Sequence, residues 1–255
     1  MNSALANLRP SLSRFIDTVI LIGSLLLLWQ MVHEFAGATA MTAPFDTVRY
    51  TLNLIAGSDF WQHAATTMTA FAAALAIAAV VGTLIGATLG FHRLSGEVAE
   101  PILVALYSIP KVTLYPIILL VFGLGISAQI AFGALHGIVP IMIFTMNAVR
   151  NIKPVLTKTA RVLNLRSFDL LRHVLLPAAL PEVFSGLRVG FSVTLIGTLI
   201  AEMFGSKRGL GFLLMNALGV NNMDLIMALT LLLVVFAAFS NAVLMAIEKR
   251  LYRRA

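Results

Sequence analysis

This 255-residue chain contains no cysteine, and only 11% of its residues are charged. The missing cysteine excludes disulfide bonds, metal–thiolate sites and cysteine nucleophiles. Soluble domains carry roughly 25% charged residues, so this chain has too few charges to cover a water-facing surface. Because 59% of its residues are hydrophobic, the composition indicates an integral membrane protein. No polar stretch is long enough for a second domain.

Motifs for catalysis are missing too. A phosphate-binding loop reads G-x4-G-K-[ST], and none of the five lysines follows a glycine. The five histidines show no metal-ligand spacing, and neither Ser185 nor Ser192 has the G-x-S-G context of an intramembrane protease. His136 lies in an apolar segment without an evident serine, metal or acid partner, as helix–helix hydrogen-bond donors do. The sequence therefore predicts no enzyme activity, no cofactor and no metal site.

Six apolar segments are long enough to cross a bilayer, which takes about 20 residues in a helix. Pro110 and Lys111 interrupt the third of them, and two glycines at 123 and 125 make a turn after it. The first segment has an alternative interpretation as a cleaved signal peptide ending at Ala38-Thr39-Ala40. The predicted spans are residues 15–32, 64–91, 102–121, 128–148, 189–204 and 225–247.

The distribution of positive charge predicts the orientation. Cytoplasmic loops of membrane proteins are rich in lysine and arginine. With both termini inside, fourteen of the eighteen lysines and arginines fall on the cytoplasmic side, seven of them between Arg150 and Arg188. The net charge of +7 then lies beside anionic lipid, and no nucleic-acid partner is expected.

The apolar segments contain many small residues, which let membrane helices approach closely. Gly82, Gly86 and Gly90 recur every four residues and share one helical face. That face is either a subunit or pore contact, or ordinary packing within the chain.

The loop from Arg150 to Arg188 has its own helical pattern. Pro154 begins a short helix that we expect to end near Leu163, where Asn164 tolerates the left-handed conformation. Ser167 is placed to cap a second helix, with Asp169 near its positive end.

We expect Leu176-Pro177 to end this second helix, and Pro181 to interrupt the chain again. The predicted helix–turn–helix lies under the membrane, with residues 165–168 at its tip. It either packs on the membrane surface or docks to a cytoplasmic partner.

Four collinear segments resemble one family. The loop KTARVLN-LRSFDLLRHVLLP is similar to the cytoplasmic loop of permease subunits of binding-protein-dependent ABC importers. It departs from the family at Lys158, Thr159 and Asn164, where the family has Glu, Ala and Gly. Three further segments resemble the branch for nitrate, sulfonates and taurine: SIPKVTLYPIILLVFGLG (108–125), LLPAALPEVFSGLRVG (175–190) and AEMFGSKRGLGFLLMNA (201–217).

The resemblance implies a type I permease fold, all-α with six transmembrane helices and a cytoplasmic coupling hairpin. Residues 1–63 would form a tail, the first span and an external loop, and residues 64–255 the five-helix core. The implied partners are a separate ATPase subunit, a periplasmic solute-binding protein, a second permease copy and the lipid of a bacterial inner membrane. The implied ATPase-docking residues are Ala160, Arg161, Asn164, Leu165, Arg166, Ser167, Phe168, Asp169, Arg172 and Pro177.

The solute path has weaker candidates. Lys111, the one charge inside a span, is expected to line or guard an anion path, or else to pack structurally at Pro110. Glu202 is expected at the outer mouth, contacting the solute receptor or pairing with Lys207 or Arg208. The polar residues that remain either line the path or bond their own backbone: Asn147, Ser192, Thr194 and Thr198. A secondary transporter or channel working without an ATPase is the alternative function.

Overall fold

The computed structural model describes residues 2–37 and 40–252, with side chains from residue 16 onward except those of Arg161 and Ser167. This part of the chain forms helices and no strand, which confirms the predicted fold class. The cleavage-site alternative at Ala38-Thr39-Ala40 lies mostly outside the described residues. The helices are α1 (Asn2–Ala36), α2 (Pro44–Ala56), α3 (Ser58–Phe91), α4 (Arg93–Ser108), α5 (Tyr115–Phe122), α6 (Ile126–Arg150), α7 (Pro154–Val162), α8 (Ser167–Leu170), α9 (Leu176–Gly205), α10 (Leu210–Gly219) and α11 (Met223–Tyr252).

Five helical runs of the described chain are long and apolar enough to span a membrane. A sixth is possible if α4 and the run Lys111–Phe122, which meet at an angle of 84°, form one broken span. The break follows from Pro110, because a residue before proline is pushed away from the helical region. Ile109 is extended, with ψ 133°, and a 3₁₀ turn (Lys111–Leu114) then leads into α5.

The chain divides into two compact units. The first contains residues up to Ser58 together with Asn216–Leu233, whereas the sequence placed a boundary after residue 63. Within this unit, the indole nitrogen of Trp29 donates to the Thr42 carbonyl over 3.0 Å, and the Thr42 hydroxyl donates to Asp224 over 2.8 Å. Side chains from α1, the following turn and α11 are thus bonded together.

The second unit holds residues 59–215 and 234–252 of the described chain, and α6 is central to it. A Cβ on Gly82, Gly86 or Gly90 would come within 2.9 Å of atoms of α6. The glycine stripe of α3 therefore serves packing within the chain. On another face of α6, Gly133 and Gly137 leave room for the hydroxyls of Thr198 and Thr194 of α9.

The prediction that Leu176-Pro177 ends a helix is wrong. Leu171–Leu175 form a π-helical turn, in which the Leu176 N–H bonds the carbonyl of Leu171. Pro177 then falls in the first turn of α9, where its missing N–H is not needed. Helix continues through Pro181, so one helical run extends over Phe168–Gly205.

Candidate functional site

The turn of the predicted hairpin has the expected backbone. Asn164 is left-handed, with φ 49°. The Leu165 N–H donates to the Ala160 carbonyl over 3.1 Å, the six-to-one bond of a Schellman motif. This bond satisfies a carbonyl at the end of α7 and turns the chain sharply, so asparagine serves where the resembled family has glycine.

The second arm of the hairpin is joined rigidly to a membrane span. It begins at Ser167, with Asp169 in its first turn, and continues through the π turn into α9. A displacement at Phe168 is therefore transmitted along one helical run to Gly205, because no loop separates the two.

The hairpin tip, residues 162–168, exposes apolar side chains. Val162 is 81% exposed, Leu163 65% and Phe168 67%. Isolated exposed apolar residues are normal, whereas a contiguous group marks an interaction surface. Because α7 and this turn fall outside the apolar spans, lipid tails do not explain the group.

The implied docking residues surround this tip. Ala160 is buried, at 3% exposure, and supports the turn from inside. Asp169 is half-buried, and its carboxylate lies 4.0 Å from the His173 ring. The side chains of Arg161 and Ser167 lie outside the described part. The exposed members of the set are Asn164, Leu165, Arg166, Phe168, Arg172 and Pro177.

Two cavities border the root of the second arm. An apolar cavity of about 240 Å³ lies between α3, α6 and the π turn, lined by Thr83, Val149 and Leu171 among others. A polar cavity of about 650 Å³ is lined by Arg93 and Arg150 and shares Val149 with the first. Dense packing would hold the arm in one position, so these spaces leave it room to shift.

Two path candidates are half-buried and accessible. Lys111 donates from Nζ to the Tyr107 carbonyl over 3.2 Å, a carbonyl left available where α4 ends. Asn147 lies near the end of α6. Their role in a path stays a prediction.

Three other candidates belong to α9. Thr194 and Thr198 are fully buried against the α6 glycines, and the Thr198 hydroxyl donates to the Thr194 carbonyl over 3.0 Å. The Ser192 hydroxyl lies 3.5 Å from the Arg188 carbonyl. These contacts favour the alternative in which such side chains pack and bond their own backbone.

Glu202 belongs to a buried polar group. It is fully buried, and its Oε2 accepts the Thr67 hydroxyl and the Gly211 N–H, each over 2.9 Å. The Leu210 N–H donates to the Thr67 hydroxyl oxygen over 2.8 Å. We call Thr67, Glu202, Leu210 and Gly211 the Glu202 cluster. It satisfies the first N–H groups of α10 with a carboxylate, which the positive end of a helix favours.

This placement differs from the exposed site expected for Glu202. Lys207 and Arg208 are exposed, and no ion pair joins them to Glu202 in the described chain. Gly209, with φ 119°, gives the carboxylate its space, because a Cβ there would lie 2.3 Å from the Glu202 carboxyl carbon. The Gly-Leu-Gly that follows a span-end acid was the available sequence clue.

Sequence reasoning also missed an ion pair at α11. Arg188 was assigned to the end of the cytoplasmic loop, but it lies inside α9, and its Nε is 2.8 Å from Glu248 Oε2. The Ser185 hydroxyl donates to Oε1 of the same carboxylate. The pair fastens the last helix to the helix that carries the hairpin arm.

Comparison with known proteins bears on these features. Residues 78–255 match the model of a family described as "Binding-protein-dependent transport system inner membrane component". A "Probable ABC transporter permease protein" of Haemophilus influenzae is 32% identical over 222 residues, 87% of this chain and 90% of that protein. The nitrate import permease protein NrtB of Synechococcus elongatus is 26% identical, covering 82% of this chain and 78% of that protein.

A solved structure shares the fold. The chain matches an inward-facing MetNI methionine ABC transporter with a TM-score of 0.59 and 20% identity, over 78% of this chain and 96% of that one. At this identity the likeness shows the fold alone. The family match covers more than two thirds of the chain and includes the whole hairpin, so this chain belongs to the inner-membrane permease components of binding-protein-dependent ABC transporters.

Proposed function

We propose that this chain forms part of the path by which an ATP-driven importer moves a small anion, such as nitrate, a sulfonate or taurine, into the cell. The family supplies the class of function, a multi-pass permease that works with an ATPase and a binding protein. A relative named for nitrate import supports the anion. The chain itself hydrolyses no ATP on this proposal, and a second copy or a close homologue completes the path.

One observation carries the proposal: the exposed hairpin tip lies at the end of a helical run that continues to Gly205. Residues 162–168 dock in the ATPase, and nucleotide-driven motion of the ATPase reaches the span through Phe168–Gly205. The cavities at the root of the arm permit this motion.

The orientation in this proposal places both termini and the hairpin in the cytoplasm. The excess of lysine and arginine in the hairpin supports it. The chain has no cysteine, so single cysteines report topology cleanly. A cysteine at Lys158 is expected to react with an impermeant thiol reagent only in opened cells, and one at Arg208 in intact spheroplasts as well. The reverse pattern would invert the topology.

Reconstitution tests the function. Proteoliposomes that contain this chain, its ATPase and its binding protein are expected to import the anion only when ATP faces the hairpin. Import by this chain alone, driven by an ion gradient, would contradict the proposal and establish a secondary transporter. Protein with a catalytically dead ATPase is the control, and it is expected to import nothing.

A further inference from the structure

A lysine without an acidic partner lies at the break of the third span. The Lys111 ammonium bonds only the Tyr107 carbonyl and lies 4.9 Å from the centre of the Tyr107 ring. No carboxylate of the described chain lies within ion-pair distance of it. Charges at membrane depth are costly and mark ligand or ion pathways unless they are paired.

The short turn between α5 and α6 places this lysine opposite a histidine. Tyr115 and Phe132 are in edge-to-face contact, with ring centres 5.0 Å apart. Because the two helices run in opposite directions, one turn back from Tyr115 meets one turn forward from Phe132. Those positions are Lys111 and His136, and the lysine charge acts on the imidazole ring.

Three contacts fix the geometry of this pair. The Tyr115 hydroxyl donates to the Ala201 carbonyl over 2.7 Å, which holds the start of α5 against α9. His136 Nδ1 lies 2.9 Å from the Phe132 carbonyl and therefore carries the hydrogen. A Cβ on Gly197 would lie 2.8 Å from the ring at its Nδ1 side. The Nε2 edge is left for another partner.

Both residues lie where a permeating solute passes near the bilayer centre. His136 is about 15 Å along α6 from Ile126, at 1.5 Å per residue, close to the middle of that helix. Breaks in membrane helices expose backbone and side chains that hold solutes in transporters. Both Lys111 and His136 are half-buried, so a ligand can reach them.

We propose that Lys111 and His136 together bind a small oxyanion at the break of the third span. Lys111 supplies the charge and two free N–H donors. His136 in its imidazolium form adds the Nε2–H donor, because the anion offsets the repulsion from Lys111. The inference rests on the proposed function, since it names the place in the path where an anion is held.

Charge-selective labelling tests the site. The complex carries His136→Cys, and modification of this chain by sulfonatoethyl methanethiosulfonate is compared with modification by the trimethylammonium analogue. The anionic reagent carries the head group of a sulfonate. We expect the preference for it to fall about fivefold or more when Lys111→Met is added, the effect of one charge at close range, and to return with Lys111→Arg.

The control is Lys249→Cys, which is exposed at the end of α11 and is expected to show no dependence on Lys111. A cysteine at 136 that stays unmodified, or whose charge preference ignores Lys111, would overturn the site. The variants must elute as folded complexes, and Lys111→Arg guards against a loss of structure.

Labelling needs no ATP, so its failure differs from failure of the proposed function. A wild-type complex that imports with ATP but shows no Lys111-dependent labelling keeps its function and loses this site. A charge-selective site in a chain that transports without ATP would keep the site and refute the importer.

Discussion

The hairpin tip and the Glu202 cluster place opposite kinds of side chain in opposite surroundings. The tip exposes Val162, Leu163 and Phe168, and its backbone bonds are local, such as Leu165 to Ala160. The cluster buries a carboxylate that bonds a hydroxyl 135 residues away in sequence. An exposed apolar surface is stable on its own but gains free energy when a partner covers it, whereas a buried polar group must be satisfied within the chain.

This contrast separates the two roles. Substitutions in the cluster are expected to change folding, and substitutions at the tip to change association. The following variants test that separation, from the largest expected effect on stability to the smallest.

Replacing Glu202 with leucine is expected to have the largest effect. The Gly211 N–H and the Thr67 hydroxyl lose their acceptor, and a buried unpaired donor costs about 1–3 kcal/mol each. The melting temperature of purified protein in detergent should fall clearly. Glu202→Gln keeps an acceptor oxygen and should lose less; equal stability of the leucine variant and the wild type would show that the carboxylate does not hold α10.

Replacing Gly137 with alanine is expected to destabilise by about 1–3 kcal/mol, as overpacking does. The new Cβ would lie 2.1 Å from the Thr194 hydroxyl oxygen and 2.9 Å from the Ala78 Cβ. Gly219→Ala is the matched control, since nothing lies within 4 Å of its Cβ. Similar melting temperatures for both variants would contradict the close packing of α6 and α9.

The smallest effect is expected from Lys158→Glu, which introduces the acid of the resembled family. Lys158 is exposed and has no ion pair in the described chain, so stability should change by less than about 0.5 kcal/mol. A melting temperature that shifts as far as that of Glu202→Leu would show that the hairpin is part of the folded core.

Local features were predictable from the sequence, and distant ones were not. Asn164 revealed its turn because a left-handed residue at a helix end depends on its neighbours alone. Glu202 was misplaced because Thr67 and the N-terminus of α10 come together only in the folded chain.

Pro177 misled the prediction for a similar reason. A proline ends a regular helix, but the π turn at Leu171–Leu175 shifts it into the first turn of α9, and no residue pattern announces that shift. The apolar spans, by contrast, were predictable, since about 20 apolar residues in succession have few other stable arrangements.

The most direct test of the account is the affinity of the detergent-solubilised chain for its ATPase subunit, measured for Phe168→Ala and Phe239→Ala. The two phenylalanines are 67% and 69% exposed, but only Phe168 lies on the hairpin tip. Truncating a central aromatic anchor costs an interface about tenfold or more in affinity, so Phe168→Ala should bind at least that much more weakly and melt like the wild type. Equal affinity for the wild type and both variants would contradict docking through the hairpin.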